Sequence, residues 1–169
     1  MKIRRAQAAD LPAIVDILNQ AVAARQVAIL EPVEVEDRRE WLAGHTPDKY
    51  PVLVAESDGE VAGWLSLGDY RPGRRALRFT AEVSYFVDAG HRRQGIASAL
   101  IQAAIDLCPE LEIKTLIAIL LDHNEASLEL LARFAFAEWG RMPDTVDFDG
   151  EERAHLYYGR RVGPTPAGQ

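Results

Sequence analysis

The hydrophobic positions of this chain follow two periods, which alternate from one end of the sequence to the other. Apolar residues recur every three or four positions in four segments, predicting amphipathic helices over residues 11–25, 34–43, 96–107 and 124–134. Seven shorter apolar runs predict strands over residues 2–6, 51–56, 60–67, 78–87, 114–120, 136–142 and 153–161. The pattern therefore predicts a mixed α/β (α+β) fold with the order β-α-α-β-β-β-α-β-α-β-β.

Turn residues between these elements indicate how the strands pair. Ser57-Asp58-Gly59 and Asp149-Gly150 each separate two predicted strands, which is typical of hairpins. The strands at 78–87 and 114–120 are instead joined by a helix, so they must run parallel with a right-handed crossover. Ligands bind sheets of this kind at the carboxyl ends of the strands, which directs attention to the loop after residue 87.

Two single residues carry local predictions. Asp10 precedes Leu11-Pro12 and is the predicted N-cap of the first helix. Gly63 interrupts the strand at 60–67, and we expect another part of the chain to come close to it there.

The length and composition favour one domain in a reducing compartment. The 169 residues predict a single domain over residues 1–162, followed by a Gly- and Pro-containing tail at 163–169 that we expect to be flexible. Cys108 is the one cysteine, which excludes an internal disulfide, and its helical position indicates a packed thiol. No apolar run is long enough to span a bilayer, so we expect a cytoplasmic protein that does not bind membranes.

Charge is distributed unevenly along the chain. The net charge of −7 argues against a nucleic-acid partner, because counterion release needs a basic face. Six arginines nevertheless lie close to the central strand and its loop: Arg71, Arg74, Arg75, Arg78, Arg92 and Arg93. A locally basic pocket on an acidic protein suits a small polyanionic ligand, although a solvated loop is the better interpretation of Arg71, Arg74 and Arg75 taken alone.

The loop Arg92-Arg93-Gln94-Gly95-Ile96-Ala97 opens the helix at 96–107 and forms a candidate anion site. Backbone N–H groups are free at a helix start, and the helix dipole favours negative charge there. The loop lacks the Gly-Lys-Ser/Thr of a Walker A motif and the three glycines of a dinucleotide fingerprint.

This loop resembles the Arg/Gln-x-x-Gly-x-Gly/Ala motif of the GNAT superfamily of acyl-CoA N-acyltransferases. About thirty residues on, Asn124-Glu125-Ala126-Ser127 with Phe136 resembles the second motif of that superfamily. Within it, the segments 10–14, 68–72, 78–84 and 140–143 are most similar to the phosphinothricin and methionine sulfoximine acetyltransferases. The resemblance implies a central mixed, mostly antiparallel sheet with a splayed parallel strand pair, flanked by about four helices.

The resemblance also implies acetyl-CoA as the co-substrate, with its pantetheine arm in the gap of the splayed pair, and no metal ion. The implied cofactor-binding residues are Phe86, Val87, Arg92, Arg93, Gln94, Gly95, Ile96, Ala97, Ser98, Asn124 and Ser127. For Asn124, an ordinary N-cap of the following helix is an alternative or additional role.

Transfer of an acetyl group to an amine needs a base, because only the neutral amine attacks the thioester. Glu82 matches the glutamate of a Thr-x-Glu segment in the subgroup and is the implied general base; the alternative is a glutamate on the solvent face of its strand. Arg78 matches an arginine of the same segment and could bind the carboxylate of an amino-acid-like substrate, or could be an ordinary surface arginine.

The chain departs from the family pattern at Leu131, where many members carry a tyrosine and this subgroup often a histidine. That side chain acts as general acid for the departing thiolate, which leucine cannot do. Water, unassisted departure, or a substitute group are the alternatives, and the candidate substitutes are His123 and Tyr85.

Three functions are therefore considered. The first is an acetyl-CoA-dependent N-acetyltransferase acting on the primary amine of a small, amino-acid-like molecule. The second is a protein or peptide N-acetyltransferase, for which the acidic residues within 144–152 could attract a basic peptide. The third is a non-catalytic acyl-CoA-binding regulatory module. The resemblance also implies a homodimer, which the aromatic residues Trp139, Tyr157 and Tyr158 could serve, although the closing strands of a core explain these residues equally well.

Overall fold

The computed structural model describes residues 1–163, which form one seven-stranded sheet with helices on both faces. The strands are β1 (Lys2–Arg5), β2 (Val52–Ser57), β3 (Glu60–Asp69), β4 (Thr80–Val87), β5 (Thr115–Leu121), β6 (Ala137–Asp147) and β7 (Glu152–Arg161). The α-helices are α1 (Leu11–Ala23), α2 (Arg39–Gly44), α3 (Ile96–Leu107) and α4 (Glu125–Arg133). The predicted element order and mixed α/β class are confirmed, and of the predicted tail, residues 164–169 lie outside the described part.

The sheet order is β1-β2-β3-β4-β5-β7-β6, and every neighbouring pair is antiparallel except β4 and β5. The parallel pairing covers only three residues of each strand, Thr80–Glu82 against Thr115–Ile117. Beyond Glu82 the two strands separate, although β4 continues to Val87 and β5 to Leu121. The expected splayed parallel pair is therefore present, with a gap that opens at Glu82.

Alternating side chains direct each strand to two separate apolar layers. On one face, α3 and α4 pack on alternate residues of the strands, including Leu65, Ala81 and Val83. On the other face, α1 packs on the intervening residues, including Val54 and Trp64, and α2 adds further contacts. Side chains at even positions of β4, such as Glu82 and Phe86, therefore belong to the face that carries α1 and α2.

Gly63 lies where three elements meet, as expected from its position inside a strand. A Cβ atom there would lie 2.9 Å from the carbonyl oxygen of Phe86 and 2.9 Å from Cγ2 of Ile96. The absence of a side chain thus lets β3 approach both β4 and the first residue of α3.

Some boundaries differ from the predictions. The segment predicted as a helix over 34–43 is a 3₁₀ turn, Glu36–Arg38, followed by the short helix α2. A second 3₁₀ turn, Arg75–Leu77, occupies the approach to β4, so this strand begins at Thr80 rather than at Arg78.

The prediction that Asp10 caps α1 is wrong. Its backbone is already helical, and its side chain makes no capping hydrogen bond to that helix. Its carboxylate instead accepts hydrogen bonds from both terminal nitrogens of Arg4, at 2.7 and 2.8 Å, and from the Gln7 N–H at 2.7 Å. These bonds hold the pKa of Asp10 below its usual range and fasten the start of α1 to β1.

Cys108 is packed in the core, as predicted. It is fully buried, its thiol donates to the carbonyl oxygen of Ala104, and burial raises its pKa to about 12. Among residues 1–163, no helix is long and apolar enough to cross a membrane.

Candidate active site

A cavity of about 910 Å³ lies between the end of β4, the start of α3 and the exposed side of α4. All of the predicted cofactor-binding residues except Gln94 line it: Phe86, Val87, Arg92, Arg93, Gly95, Ile96, Ala97, Ser98, Asn124 and Ser127. The fold thus brings two segments some thirty residues apart in sequence to one cavity. Their contacts with acetyl-CoA stay predictions.

The loop before α3 presents its backbone to this cavity. Arg93 and Gly95 both have left-handed backbone conformations, with φ of 62° and 80°. A Cβ at Gly95 would meet nothing within 4 Å, so the position opens into free space. The N–H groups of the first turn of α3 have no intrahelical acceptor, and no other acceptor bonds them within residues 1–163. This cradle fits a phosphorylated ligand.

The loop is held in place by Gln20, a residue of α1 that the sequence reasoning did not identify as functional. Its side-chain amide donates to Asp88 at 2.9 Å and accepts from the Ala89 N–H at 2.8 Å. Asp88 also accepts from the Gly90 N–H and contacts His91 Nδ1 at 2.8 Å. Hydrogen bonds from Gln20 and His91 keep the pKa of Asp88 below its usual range, so the loop is anchored by an ionised carboxylate.

Asn124 is both a helix cap and a cavity residue. Its side-chain oxygen accepts a hydrogen bond from the Ser127 N–H at 3.2 Å, which is the N-cap role considered from the sequence. Because both residues also line the cavity, the cap does not exclude a contact with a ligand.

Glu82 lies at the point where β4 and β5 separate. It is paired with Gly68 of β3 on one side and with Ile117 of β5 on the other. The side chain is partly buried, and burial raises its pKa above the ordinary value for glutamate. Within residues 1–163 its carboxylate has no hydrogen bond and no ion pair. A partly desolvated carboxylate without a partner can accept a proton near neutral pH.

The surroundings of Glu82 leave room for an acceptor molecule. A Cβ at the neighbouring Gly68 would meet nothing within 4 Å, so that side is open. On the other side, beyond Ile117, Gly159 of β7 is covered by the ring of Trp139. The row of paired residues thus runs from open space at Gly68, past Glu82 and Ile117, to the Trp139 ring at Gly159.

Arg78 precedes β4 and lies at the surface. Its guanidinium donates to the carbonyl oxygen of Arg75 at 3.0 Å and stacks 4.2 Å from the centre of the Phe79 ring. Its role in binding a substrate carboxylate stays a prediction.

Arg38 is a cation that the sequence analysis did not identify as a candidate site residue. It is partly buried, and its guanidinium lies 5.4 Å from the centre of the Trp41 ring. Burial lowers the pKa of Arg38, and its guanidinium has no hydrogen bond and no ion pair within residues 1–163. Trp41 contacts Trp64, and Trp64 contacts Phe86 at the cavity, with ring centres 5.6 and 4.7 Å apart.

The three residues considered for thiolate departure have very different surroundings. Leu131 is 1% exposed in the core, so it supplies no proton donor. His123 lies with Nε2 2.9 Å from the carbonyl oxygen of Arg25. Tyr85 lines the cavity with its hydroxyl buried, and burial raises its pKa to about 12 against the opposing effect of the Ser127 side chain.

Known proteins are similar to this chain over most of its length. The model of the Acetyltransferase (GNAT) family matches residues 14–136. Bacillus subtilis YwnH, provisionally assigned as a phosphinothricin acetyltransferase, is 42% identical over 164 residues, which is 96% of this chain and 99% of YwnH. The L-methionine sulfoximine/L-methionine sulfone acetyltransferase of Pseudomonas paraeruginosa is 36% identical over 143 residues, 83% of each protein.

A solved structure of an acetyltransferase has the same fold as this chain. It is the crystal structure of a GNAT superfamily phosphinothricin acetyltransferase from Sinorhizobium meliloti in complex with acetyl-CoA. It superposes with a TM-score of 0.91 at 26% identity, covering 99% of this chain and 91% of that one. The chain therefore belongs to the acetyltransferase (GNAT) family, and it is an acetyltransferase. The predicted family and fold are confirmed.

Proposed function

We propose that the protein transfers the acetyl group of acetyl-CoA to the primary amine of a small, amino-acid-like acceptor. The observation that carries the proposal is the unpartnered, partly buried carboxylate of Glu82 at the mouth of the gap between β4 and β5. The far end of β4, residues 85–87, lines the cavity that holds the phosphate cradle. The relatives named for phosphinothricin and methionine sulfoximine support this class of acceptor.

In the proposed reaction, the loop residues Arg92–Ser98 bind the pyrophosphate through free N–H groups and arginine side chains. Past Glu82 the edge of β4 that faces β5 has no strand partner. Its backbone groups are therefore free to bind the pantetheine arm and to donate to the carbonyl oxygen as negative charge develops there.

Glu82 takes a proton from the attacking amine, directly or through water. The C–N bond forms, the C–S bond breaks, and the electron pair leaves with the sulfur as CoA thiolate. This reaction requires a base and oxyanion donors, and we propose that no metal ion takes part.

We propose that arginine binds the carboxylate of the acceptor. Arg78 is the candidate implied by family resemblance. Arg38 is a second candidate, because it is partly buried, makes no ion pair within residues 1–163, and packs on Trp41 on the same face of the sheet as Glu82. A desolvated guanidinium binds a carboxylate more strongly than one fully exposed to water.

An acceptor panel tests the proposed function. Thiol release from acetyl-CoA is measured with phosphinothricin, methionine sulfoximine, methionine sulfone, simple alkylamines and lysine-containing peptides. The proposal predicts turnover with one or more of the amino-acid-like amines and a kcat/KM at least ten times lower for the alkylamines. Turnover confined to peptides would contradict the small-molecule proposal and favour the acidic residues near Asp149 as a peptide-binding surface.

The remaining alternative is a non-catalytic acyl-CoA-binding module. The buried Leu131 favours it, because the chain lacks the usual acid on α4. The available carboxylate of Glu82 argues against it. Binding of CoA without turnover on any amine of the panel would favour this alternative.

We further propose that the enzyme is a cytoplasmic homodimer. Trp139 and Met142 on β6 are 56% and 46% exposed, and they give the edge strand an apolar surface that a second copy could cover. Sedimentation of the wild type and of Trp139→Arg measures this directly, since a dimer held by that surface dissociates in the variant.

A further inference from the structure

Two serines lie between the cofactor cavity and Glu82 on one face of the sheet. Along β4, Ser84 is two residues from Phe86, which lines the cavity, and two residues from Glu82. Residues two apart in a strand point to the same face, so these side chains all belong to the face that carries α1 and α2. Ser84 is paired with Ser66 of β3, and antiparallel partners have Cβ atoms about 4.5–5.5 Å apart. The two serine side chains therefore lie side by side.

Neither serine hydroxyl has a hydrogen-bond partner within residues 1–163. Ser66 is only 8% exposed and is paired on its other side with the buried Val52. Its hydroxyl oxygen nevertheless keeps some accessible surface, since it is not among the unpaired side-chain atoms that are closed off from solvent. An unpaired hydroxyl in an apolar layer lowers stability, and alanine would occupy the place without that cost. Both hydroxyls are thus free to bind a molecule that enters from this face.

Gly68 leaves free space in the neighbouring row of the sheet, directly opposite Glu82. A Cβ atom there would meet nothing within 4 Å, and the backbone of Gly68 does not have the positive φ that favours glycine. Neither backbone conformation nor packing within the described chain therefore requires glycine at this position. A side chain there would project beside the Glu82 carboxylate. Ser66, Gly68, Glu82 and Ser84 together outline a small polar depression, which we call the serine–glutamate recess.

The recess lies where the two substrates of the proposed reaction must meet. Glu82 and Phe86 are the ends of a segment of strand about 13 Å long, with the proposed base at one end and the cofactor cavity at the other. Ser84 lies in the middle of that segment. An ammonium group has three N–H donors and no acceptor, and the carboxylate and the two hydroxyl oxygens supply three acceptors. The chemistry of the recess thus matches an amino group.

We propose that the serine–glutamate recess binds the amino group of the acceptor, with the hydroxyls of Ser66 and Ser84 accepting hydrogen bonds from its N–H groups beside the Glu82 carboxylate. This inference rests on the proposed function and deepens it, because it assigns the acceptor-binding residues nearest to the base. The bonds that form and break are those of the proposed reaction. The serines hold the nitrogen in place, and the absent side chain of Gly68 gives it room.

Ser66→Ala and Ser84→Ala test the serine contacts, with Ser57→Ala as the matched control. Ser57 lies at the hairpin end of β2, where its hydroxyl contacts Asp58. The expected result for Ser66→Ala and Ser84→Ala is a kcat/KM for the preferred acceptor about tenfold lower, the range for loss of a hydrogen bond to a charged group. The dissociation constant for CoA should stay unchanged within about threefold, and Ser57→Ala should behave as the wild type. The melting temperature of Ser66→Ala should equal or exceed that of the wild type, because the change removes an unpaired hydroxyl.

Gly68→Ala and Gly68→Val test the space beside Glu82. Both side chains would occupy the recess, so kcat/KM for the acceptor should be at least about tenfold lower in Gly68→Ala and lower still in Gly68→Val. The affinity for CoA should again be unchanged. The control is Gly140→Ala, a glycine of β6 where a Cβ would lie at an ordinary 3.9 Å from Cβ of Tyr157. It should keep the wild-type kcat/KM.

A second readout does not depend on turnover. The carboxyl pKa of Glu82 is followed by carbon-13 NMR in the CoA complex, with and without saturating methionine sulfoximine. A bound ammonium group favours the ionised carboxylate, so this amine should lower the pKa of Glu82 by about one unit in the wild type and leave it unchanged in Gly68→Val.

The two readouts separate the inference from the proposed function. If the wild type turned over no amine but methionine sulfoximine lowered the pKa of Glu82, the proposed function would fail and the recess would stand as an amine site. Wild-type turnover that is unchanged in folded Ser66→Ala, Ser84→Ala and Gly68→Ala, or a defect confined to CoA affinity, would overturn the inference and leave the proposed function intact. A pKa of Glu82 that does not respond to the amine in the wild type would also overturn it.

Discussion

Arg38 and Arg78 are two arginines with different surroundings on the approach to the site. Arg78 is at the surface, where its guanidinium stacks on Phe79 and donates to a backbone carbonyl. Arg38 packs on Trp41, is partly buried, and makes no ion pair within residues 1–163, although the neighbouring Asp37 carboxylate partly offsets the fall in its pKa. Partial burial without an ion pair makes Arg38 the stronger anion site, because its field is less screened by water.

We therefore expect Arg38→Met to raise the KM for an amino-acid acceptor by about 10–100-fold, the range for loss of a charge-assisted hydrogen bond. The KM for acetyl-CoA should stay unchanged. Arg78→Met should raise the acceptor KM by a smaller factor. Steady-state kinetics with both substrates varied give these constants.

The matched control is Arg39→Met, since Arg39 is adjacent in sequence but exposed and already paired with Glu36. It should keep the wild-type acceptor KM. An unchanged acceptor KM in Arg38→Met would remove this arginine from the proposed site.

At the scale of single residues, the sequence predicted the types of side chain at the site better than their environments. Glu82 and the loop residues follow from motifs, which are local. The partial burial of Arg38 and the anchoring of Asp88 by Gln20 depend on α1, α2 and β4 packing together. A single-sequence pattern has no signal for such contacts between distant segments.

At the scale of elements, the loop and α3 form the unit that the sequence predicted most accurately. The predicted helix over residues 96–107 matches α3 because both of its ends are set locally, by left-handed Gly95 and by the turn around Pro109. The strand predicted to end at Met142 instead continues to Asp147 as β6. An irregularity between Met142 and Val146 absorbs Pro143, which in the sequence resembled a strand end.

Gly95→Glu should reduce the affinity for CoA by at least about 100-fold. The new side chain would extend into the open cradle, where its carboxylate would occupy the site proposed for the pyrophosphate and repel it. Isothermal titration with CoA measures the loss.

Gly73→Glu is the control variant for the effect of backbone strain alone. Gly73 has φ of 81°, close to the 80° of Gly95, and a Cβ there also meets nothing within 4 Å. It lies outside the cavity lining. Equal losses of CoA affinity in the two variants would contradict the assignment of the loop.

At the scale of the whole molecule, one sheet supports both halves of the reaction. The cofactor cavity is lined by α3 and α4 on one side and by Ile17, Ala21 and Phe86 on the other, and Glu82 belongs to the same face of the sheet as Phe86. The parallel pairing of β4 with β5 ends after Glu82 and Ile117, which leaves the rest of both facing edges unpaired with each other. Topology could be inferred from the element order, but the size of the cavity and the contribution of Ile17 and Ala21 to its wall required the packed structure.

The central claim is that Glu82 is the general base, and its raised pKa sets the sign of the pH dependence. Only the ionised carboxylate accepts a proton, so kcat/KM should fall as pH decreases through the pKa of Glu82. Because burial raises that pKa, the loss should occur above the ordinary glutamate value of 4.5. Burial without a partner also penalises the charged form in the folded state, so Glu82→Gln should be at least as stable as the wild type at pH 7.

The most direct test measures kcat/KM for the preferred acceptor, together with CoA affinity, in the wild type, Glu82→Gln and the control Glu60→Gln. Glu60 is an exposed glutamate at the hairpin end of β3. We expect kcat/KM to be at least about 100-fold lower in Glu82→Gln and no longer to fall as pH decreases through the pKa of Glu82. The CoA affinity of Glu82→Gln should be unchanged, and Glu60→Gln should behave as the wild type. A folded Glu82→Gln variant with the wild-type kcat/KM and the wild-type fall of kcat/KM at acidic pH would contradict the assignment of Glu82 as the general base.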